Sequence, residues 1–189
     1  RTDADVQTAL ALAREFAVPV TARGGGTSQA GQTVGDGLII DYSKHLAEVA
    51  ELDPAARTVW VEPGIVLDRL NRFLRPHGLF FPVDISTSSR ATLGGMIANN
   101  ACGAHSVAWG TTADNLRSLD VILADGTRLT LDSGVDRPGA ANLDAALQGV
   151  VAGQNKRAIA VLDERVQAVD HRADGHVAHG AGLDEQARI

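Results

Sequence analysis

Two stretches decide the reading of this sequence: Arg23-Gly24-Gly25-Gly26-Thr27-Ser28-Gln29-Ala30-Gly31, and Thr92-Leu93-Gly94-Gly95-Met96-Ile97-Ala98-Asn99-Asn100-Ala101-Cys102-Gly103. The first follows the short apolar run Val18-Pro19-Val20-Thr21-Ala22, which predicts a buried strand leading into a glycine-rich loop over residues 23–37. Consecutive glycines let successive backbone N–H groups converge on one concavity, a geometry that suits phosphate or pyrophosphate. Thr27 and Ser28 add hydroxyl donors. No Gly-Lys-Ser/Thr follows, so this is not a Walker A loop, and it does not open a helix as Gly-x-Gly-x-x-Gly does. Taken alone, the triple glycine also fits a tight surface loop, and Arg23 a surface ion pair. In the second stretch, Gly94-Gly95 permits close approach of a ligand at the start of a short helix over 93–100, where N–H groups are free. Ala98, Ala101 and Gly103 keep the same surface free of bulk. Alone, this stretch fits equally a helix packed on a sheet through small residues.

Working outward, Thr2 or Asp3 caps a helix running to about Phe16, with Val6, Leu10, Ala13 and Phe16 at helical spacing. Leu38-Ile39-Ile40 predicts a second strand, and 47–52 and 58–62 two more, joined at Asp53-Pro54. After Pro63-Gly64 a helix is expected with Val66, Leu70, Phe73 and Leu74 on one face, ending at Pro76-His77-Gly78. Leu119, Val121 and Leu123 alternate, Ala124-Asp125-Gly126-Thr127 turns, and Leu129 and Leu131 alternate again, which predicts a β-hairpin. Beyond it, 133–139 reads as a linker, 140–170 as an Ala-, Leu- and Val-rich helix, and 175–189 as a loose tail.

The chain has 189 residues, 44% of them hydrophobic and 21% charged, so one packed domain is within reach and wholesale disorder is not expected. Lys+Arg 17 against Asp+Glu 23 gives a net charge of -6, which argues against a nucleic-acid partner. No apolar run approaches the roughly 18 residues of a membrane helix, and the N-terminus has no signal-peptide character. A single cysteine excludes a disulfide framework and a cysteine-based zinc or iron–sulfur site within these residues. The histidines show no paired metal-ligand spacing, so no metal site is assigned.

Together the two glycine stretches are far more specific than either alone. With Pro82-Val83-Asp84, Trp109-Gly110 and Leu119-Asp120-Val121-Ile122-Leu123-Ala124-Asp125-Gly126, in this order, the chain over residues 1–132 resembles the FAD-binding domain of the FAD-linked oxidase family. This is the vanillyl-alcohol oxidase/p-cresol methylhydroxylase type, whose members include D-lactate dehydrogenases, the glycolate oxidase flavoprotein subunit and D-2-hydroxyglutarate dehydrogenase. Ala101-Cys102-Gly103-Ala104-His105-Ser106 and the run from Trp109 to Asn115 look most like the long bacterial members fused to substrate and iron–sulfur domains.

The resemblance implies an α+β domain of two lobes with FAD extended between them. Arg23, Gly24, Gly25, Gly26, Thr27 and Ser28, with Gly31, would wrap the pyrophosphate. Pro82, Asp84, Ser89, Thr92, Gly94 and Gly95 would lie along the ribityl and ring side. Ala98, Asn100, Gly103, Gly110 and Val121 would complete the cleft. Covalent relatives often carry a histidine in the glycine loop; Gly26 and Thr27 stand there, which implies non-covalent FAD. The implied activity is oxidation of a small D-2-hydroxy acid by hydride transfer to flavin, the electrons leaving to an unidentified acceptor, with iron–sulfur clusters only in a downstream domain. The implied location is cytoplasmic, with a peripheral place at the inner face of the membrane as the alternative. The strand expected before the first helix and the substrate domain are not recognised, so the chain reads as a fragment or a degenerate copy with no residue assigned as catalytic. Two alternatives stand beside this: a UDP-N-acetylenolpyruvoylglucosamine reductase-like FAD domain, and a non-catalytic nucleotide-binding or interaction module. Among lone residues, Cys102 fits a packing residue better than a flavin contact, and His105 a polar loop residue better than a contact to substrate or flavin. Asp84 fits a flavin contact or a turn cap, and Trp109 a cleft-lining position.

Overall fold

A computed structural model describes residues 1–132 and the backbone of one further strand, Val161–Val169. The chain opens with α1 (Asp3–Glu15), whose start is written in its first residues. The Asp5 N–H donates to Thr2 Oγ1 at 3.3 Å and the Thr2 N–H donates to Asp5 Oδ2 at 2.9 Å, so two orphan donors of the helix end are satisfied reciprocally. Val6, Leu10 and Ala13 are buried as the spacing requires. Phe16 is not on that stripe: the helix ends at Glu15, and Phe16 is 69% exposed. Thr2→Ala is expected to cost about 1 kcal/mol of stability, read as a lower urea midpoint with an unchanged slope; an unchanged midpoint would remove the cap from the account.

Beside α1, β1 (Val20–Arg23) and β2 (Leu38–Asp41) form a two-stranded parallel sheet, with Val20 opposite Leu38 and Arg23 opposite Asp41. The strand expected at residue 18 starts at Val20 and is half-exposed rather than buried, because the small sheet packs on one side only. Val6, Leu10, Tyr42, Leu46 and Ile122 close a first, small core, with Val20 and Ile40 against it.

The larger lobe holds β3 (Val49–Asp53), β4 (Thr58–Val61), α2 (Leu67–Leu74), α3 (Leu93–Ala98), α4 (Ser106–Trp109), β5 (Leu116–Ile122) and β6 (Arg128–Asp132). Leu67, Leu70 and Leu74 turn inward from α2, onto Val61, Ile65, Val83, Leu93, Ile97 and Leu119. Phe73, expected on the same face, is 42% exposed; the stripe is set by the three leucines, and Phe73 falls on its flank. The hairpin forms as its turn predicts, with Val121 opposite Leu129. Leu131 is buried while Leu129 is 41% exposed, so only part of the alternation on β6 meets the core.

The five-stranded sheet runs β3-β4-β7-β5-β6, where β7 is Val161–Val169. β7 pairs antiparallel with both β4 and β5 and fills the gap between them. This corrects the helix expected over 140–170 for these nine residues. The strands on either side offer unpaired backbone edges, and non-local pairing of that kind overrides local helix propensity. The linker at 133–139, the remainder of the expected helix and the tail at 175–189 lie outside the described residues.

β5 is the partition between the two cores. Leu119 and Val121 point into the large core and Ile122 into the small one, as a period of two dictates. The lobes are tied again at both ends of α1. Arg128 Nη2 meets Asp3 Oδ2 at 2.7 Å, and Arg14 Nη1 donates to the Ala124 carbonyl at 2.9 Å. The result is the two-lobed α+β architecture expected from the sequence. No helix among the described residues is long and apolar enough to cross a membrane.

Candidate functional site

A cleft of about 510 Å³ runs between the glycine loop and α3, a size that suits a small-molecule ligand. Arg23 to Gln29 and Gln32 form one side; Thr92, Gly95, Ala98 and Asn99 form the other. Ala101 and Cys102, and the stretch Ile85, Ser86 and Thr87, complete the lining. A smaller recess, about 50 Å³, opens beside it and includes Gly94, Tyr42 and Pro63. The Gln32 amide donates to Asn99 Oδ1 at 3.0 Å, joining the loop to the end of α3. Asn99 is held in turn by its own amide, which donates to the Gly95 carbonyl at 2.8 Å.

The glycines are required by close approach. A Cβ on Gly24 would collide with Oγ1 of Thr92, and one on Gly25 with the backbone carbonyl of Arg90. The loop therefore lies against residues 90–92 as bare backbone. No hydrogen bond within the described residues uses the N–H groups of Gly24 to Ser28, so they remain available to an anion. Arg23, at the end of β1, brings its guanidinium beside Gly26, which takes φ 65°. Behind it, burial raises the Asp41 carboxyl. The hydroxyl and N–H of Ser43, with the charges of Arg23 and Lys44, outweigh that and hold the group below the usual carboxylate range.

The start of α3 behaves differently from the expectation. Leu93 N–H donates to the Ile65 carbonyl, Gly94 N–H to the Pro63 carbonyl, and Gly95 N–H to Thr92 Oγ1. These donors are consumed within the fold, so the first N–H groups of α3 are not available to an anion, whereas those of the glycine loop are. The small residues of α3 serve instead to thin the wall.

Of the residues singled out in the sequence, the structure brings Arg23, Gly24, Gly25, Gly26, Thr27, Ser28, Thr92, Gly95 and Ala98 together on the cleft wall, with Gly94 in the adjoining recess. The others stand off it. Gly31, at φ 82°, forms the outer turn of the loop in open space. Ser89 is exposed on a turn, and Pro82 is buried beside Phe81 and Val83. Gly110, at φ 76°, ends α4 against Asp114. Val121 is 4% exposed inside the large core. Asn100 docks its side chain on the Ala113 N–H at 2.9 Å.

Asp84 and Gly103 meet each other rather than the cleft. A Cβ on Gly103 would collide with Asp84 Oδ1. The Asp84 carboxylate also accepts from the His105 N–H at 3.0 Å and pairs with His105 Nδ1 at 2.5 Å. His105 stacks on Trp109, centroids 4.9 Å apart, and Phe80 meets the same indole edge-on at 5.5 Å. Trp109, expected to line the cleft, is thus held in this aromatic cluster, and His105 is tied down rather than free in a loop. Burial raises the Asp84 carboxyl, but the N–H and ring of His105 prevail and hold it below the usual range. A carboxylate with a depressed native pKa contributes stability that is present above its unfolded pKa and lost as pH falls through the native value. Asp84→Asn should therefore lower the melting temperature at neutral pH, with the gap to the unaltered chain closing below pH ~4. A gap independent of pH would contradict the pairing.

Sequence reasoning missed Gln32, Ser86, Thr87, Asn99 and Cys102 on the wall. A signal for Asn99 existed: if Gly95 faces the cleft, the residue four further on shares its side of the helix. Cys102 is exposed and lines the cleft rather than packing. No group of His, Cys, Asp or Glu among the described residues is placed to hold a metal ion.

The match to the FAD binding domain family model covers residues 1–132. Over 109 residues the chain is 45% identical to D-2-hydroxyglutarate dehydrogenase of Haemophilus influenzae, covering 58% of this chain and 11% of that protein. Over 133 residues it is 32% identical to glycolate oxidase subunit GlcD of Escherichia coli, covering 69% of this chain and 26% of that protein. The chain thus spans only a small part of the curated relatives it matches. In structure it superposes on 6-hydroxy-D-nicotine oxidase of Arthrobacter nicotinovorans with a TM-score of 0.70 at 17% identity, covering 89% of this chain and 34% of that one. That superposition reproduces the two-lobed fold, and the family match spans every residue that forms the cleft. The chain belongs to the FAD binding domain family.

Proposed function

We propose that this chain is the cofactor-holding part of a flavin-dependent dehydrogenase that oxidises a D-2-hydroxy acid, and that its FAD is bound non-covalently. The carrying observation is the cleft itself, where free N–H groups and the Arg23 charge stand on one side and small residues on the other. A dinucleotide needs anion-binding backbone at its pyrophosphate and thin walls where a flat ring passes. The residues present fit that need. Gly24 to Ser28 and Arg23 hold the pyrophosphate; Thr92, Gly95, Ala98, Ala101 and Cys102 bound the space along the rest of the molecule. When bound, FAD supplies the two-electron acceptor for oxidation of the substrate's alcohol carbon. The chain's own contribution is to bind, orient and wall off the cofactor.

Support for the substrate class comes from the relatives, which are named for 2-hydroxyglutarate and glycolate. They also favour this reading over a UDP-N-acetylenolpyruvoylglucosamine reductase-like one. The test has two stages. FAD is titrated into the chain while the reaction of Cys102 with a thiol reagent is followed; at free FAD tenfold above Kd, labelling should slow about tenfold. D-2-hydroxyglutarate, D-lactate and glycolate are then mixed anaerobically with the full-length protein, and one of them should bleach the flavin absorption. Undiminished labelling of Cys102 at saturating FAD would place the cofactor elsewhere. A flavin that none of the three acids bleaches would refute the substrate class.

A further inference from the structure

Asn100 stands out because it does two things at once and touches the cleft with neither. It is one of three non-glycine residues at positive φ among the described residues, at φ 42°, with Ala17 and Arg57 the others. Asparagine tolerates this left-handed region better than most side chains. The conformation ends α3 sharply. The Asn100 N–H closes on the Ile97 carbonyl at 3.0 Å and the Ala101 N–H on the Met96 carbonyl at 2.8 Å. The chain then leaves the helix with Ala101 and Cys102 running along the cleft.

The side chain fixes where that exit lies. Asn100 Oδ1 accepts from the Ala113 N–H at 2.9 Å. The next carbonyl, of Ala101, accepts from both the N–H and the hydroxyl of Thr112, at 3.0 and 2.7 Å. Adjacent residues on one segment are therefore pinned to adjacent residues on another. The receiving segment is itself packed into the fold: Thr112 and Asn115 are fully buried. Asn115 also donates to the carbonyls of Trp109 and Thr111, at 2.9 and 2.8 Å.

We propose that Asn100 is a positioning residue for the cofactor: its left-handed backbone and its Oδ1 bond to Ala113 set the course of Ala101 and Cys102, the part of the wall a bound flavin nucleotide would meet. This rests on the FAD reading above and adds to it a residue that acts through others. The requirement is specific. The position needs a residue that accepts φ near 42° and carries an acceptor oxygen at the length of the asparagine side chain. Aspartate meets both conditions and glycine the first; alanine lacks the acceptor and takes the left-handed φ only under strain.

The test compares Asn100→Ala, Asn100→Gly and Asn100→Asp in the whole chain. FAD affinity is read from quenching of flavin fluorescence, and the wall from the visible band shape of the bound flavin. Without FAD, the wall is read from the rate at which Cys102 reacts with a thiol reagent. Asn100→Ala is expected to weaken FAD roughly ten- to thirtyfold, through the strained turn and the orphaned Ala113 N–H together. It should also change the band shape and the Cys102 rate. Asn100→Asp should stay within about threefold and restore both signatures, and Asn100→Gly should fall between. If the alanine variant does not fold, the glycine and aspartate variants decide between themselves by the same measures. Affinity and band shape unchanged in folded Asn100→Ala or Asn100→Gly would overturn the proposal, as would Asn100→Asp binding as weakly as the alanine variant. Failure of the unaltered chain to take up FAD is a separate outcome: it removes the cofactor reading and this role with it, whatever the Cys102 rates show.

Discussion

Gly25→Ala is expected to abolish measurable FAD uptake at micromolar cofactor while leaving most of the secondary structure in place. The added Cβ would sit on the Arg90 carbonyl, and a backbone atom cannot rotate away as a side chain can. Residues 90–92 are held from behind: Ala91 and Thr92 are buried, and Thr92 caps α3. The loop must therefore lift. Overpacking of this kind costs about 3 kcal/mol where the surroundings cannot yield, which as lost binding is more than ~100-fold. Gly24→Ala is the internal control. Its Cβ meets the Thr92 hydroxyl, a side-chain atom that can turn away only by giving up its cap on α3, which still costs less than moving backbone, so its loss should be smaller. Isothermal titration with FAD, beside thermal unfolding without it, separates the two contributions. A Gly25→Ala chain with unaltered affinity would show that the loop does not form the cofactor wall.

Arg23→Gln should weaken FAD by roughly 10- to 100-fold, the worth of a hydrogen bond to a charged group. The loop glycines supply neutral donors, and Arg23 brings the one charged side chain among the described residues of its side of the cleft next to Gly26. The chain as a whole carries -6, so the attraction must be local. Two further observations follow from that charge. Binding to the unaltered chain should weaken as sodium chloride rises, and binding to Arg23→Gln should respond less. Arg23→Lys should recover only part of the loss, since a point charge cannot reproduce the paired donors of the guanidinium. Equal salt dependence in the unaltered chain and Arg23→Gln would mean that Arg23 faces Asp41 instead of the ligand.

Where structure depends on neighbours in sequence, the chain was legible. The helix start at Thr2 or Asp3, the turn at Ala124 to Thr127 and the glycine loop each announce themselves over a few residues. Where several positions at similar spacing compete for one core, legibility fails. Phe73 and Phe16 have the right period but the wrong face, because the inward direction is fixed by partners far away in sequence, such as Val83 and Leu119 for α2. β7 is the extreme case: its strand state comes from pairing with β4 and β5, and its three valines do not by themselves separate it from a helix. The site divides the same way. Arg23 to Ser28 and Gly95 follow from the need for bare backbone. Which of Asn99 and Asn100 meets the cleft depends on where α3 stops, and that depends on a left-handed φ at Asn100. Asp84, Gly103 and Trp109 fall near the cleft in the chain but are drawn to each other and to His105, as polar and aromatic side chains with close partners are.

One experiment decides whether this polypeptide holds FAD without a covalent bond. The chain is incubated with excess FAD and desalted, its visible spectrum is taken, and it is then denatured and both fractions are weighed by mass spectrometry. The expected result is a flavin spectrum before denaturation, all FAD in the supernatant after it, and an unmodified polypeptide. A folded chain that emerges colourless, or a polypeptide that stays heavier by the mass of the flavin, would contradict it.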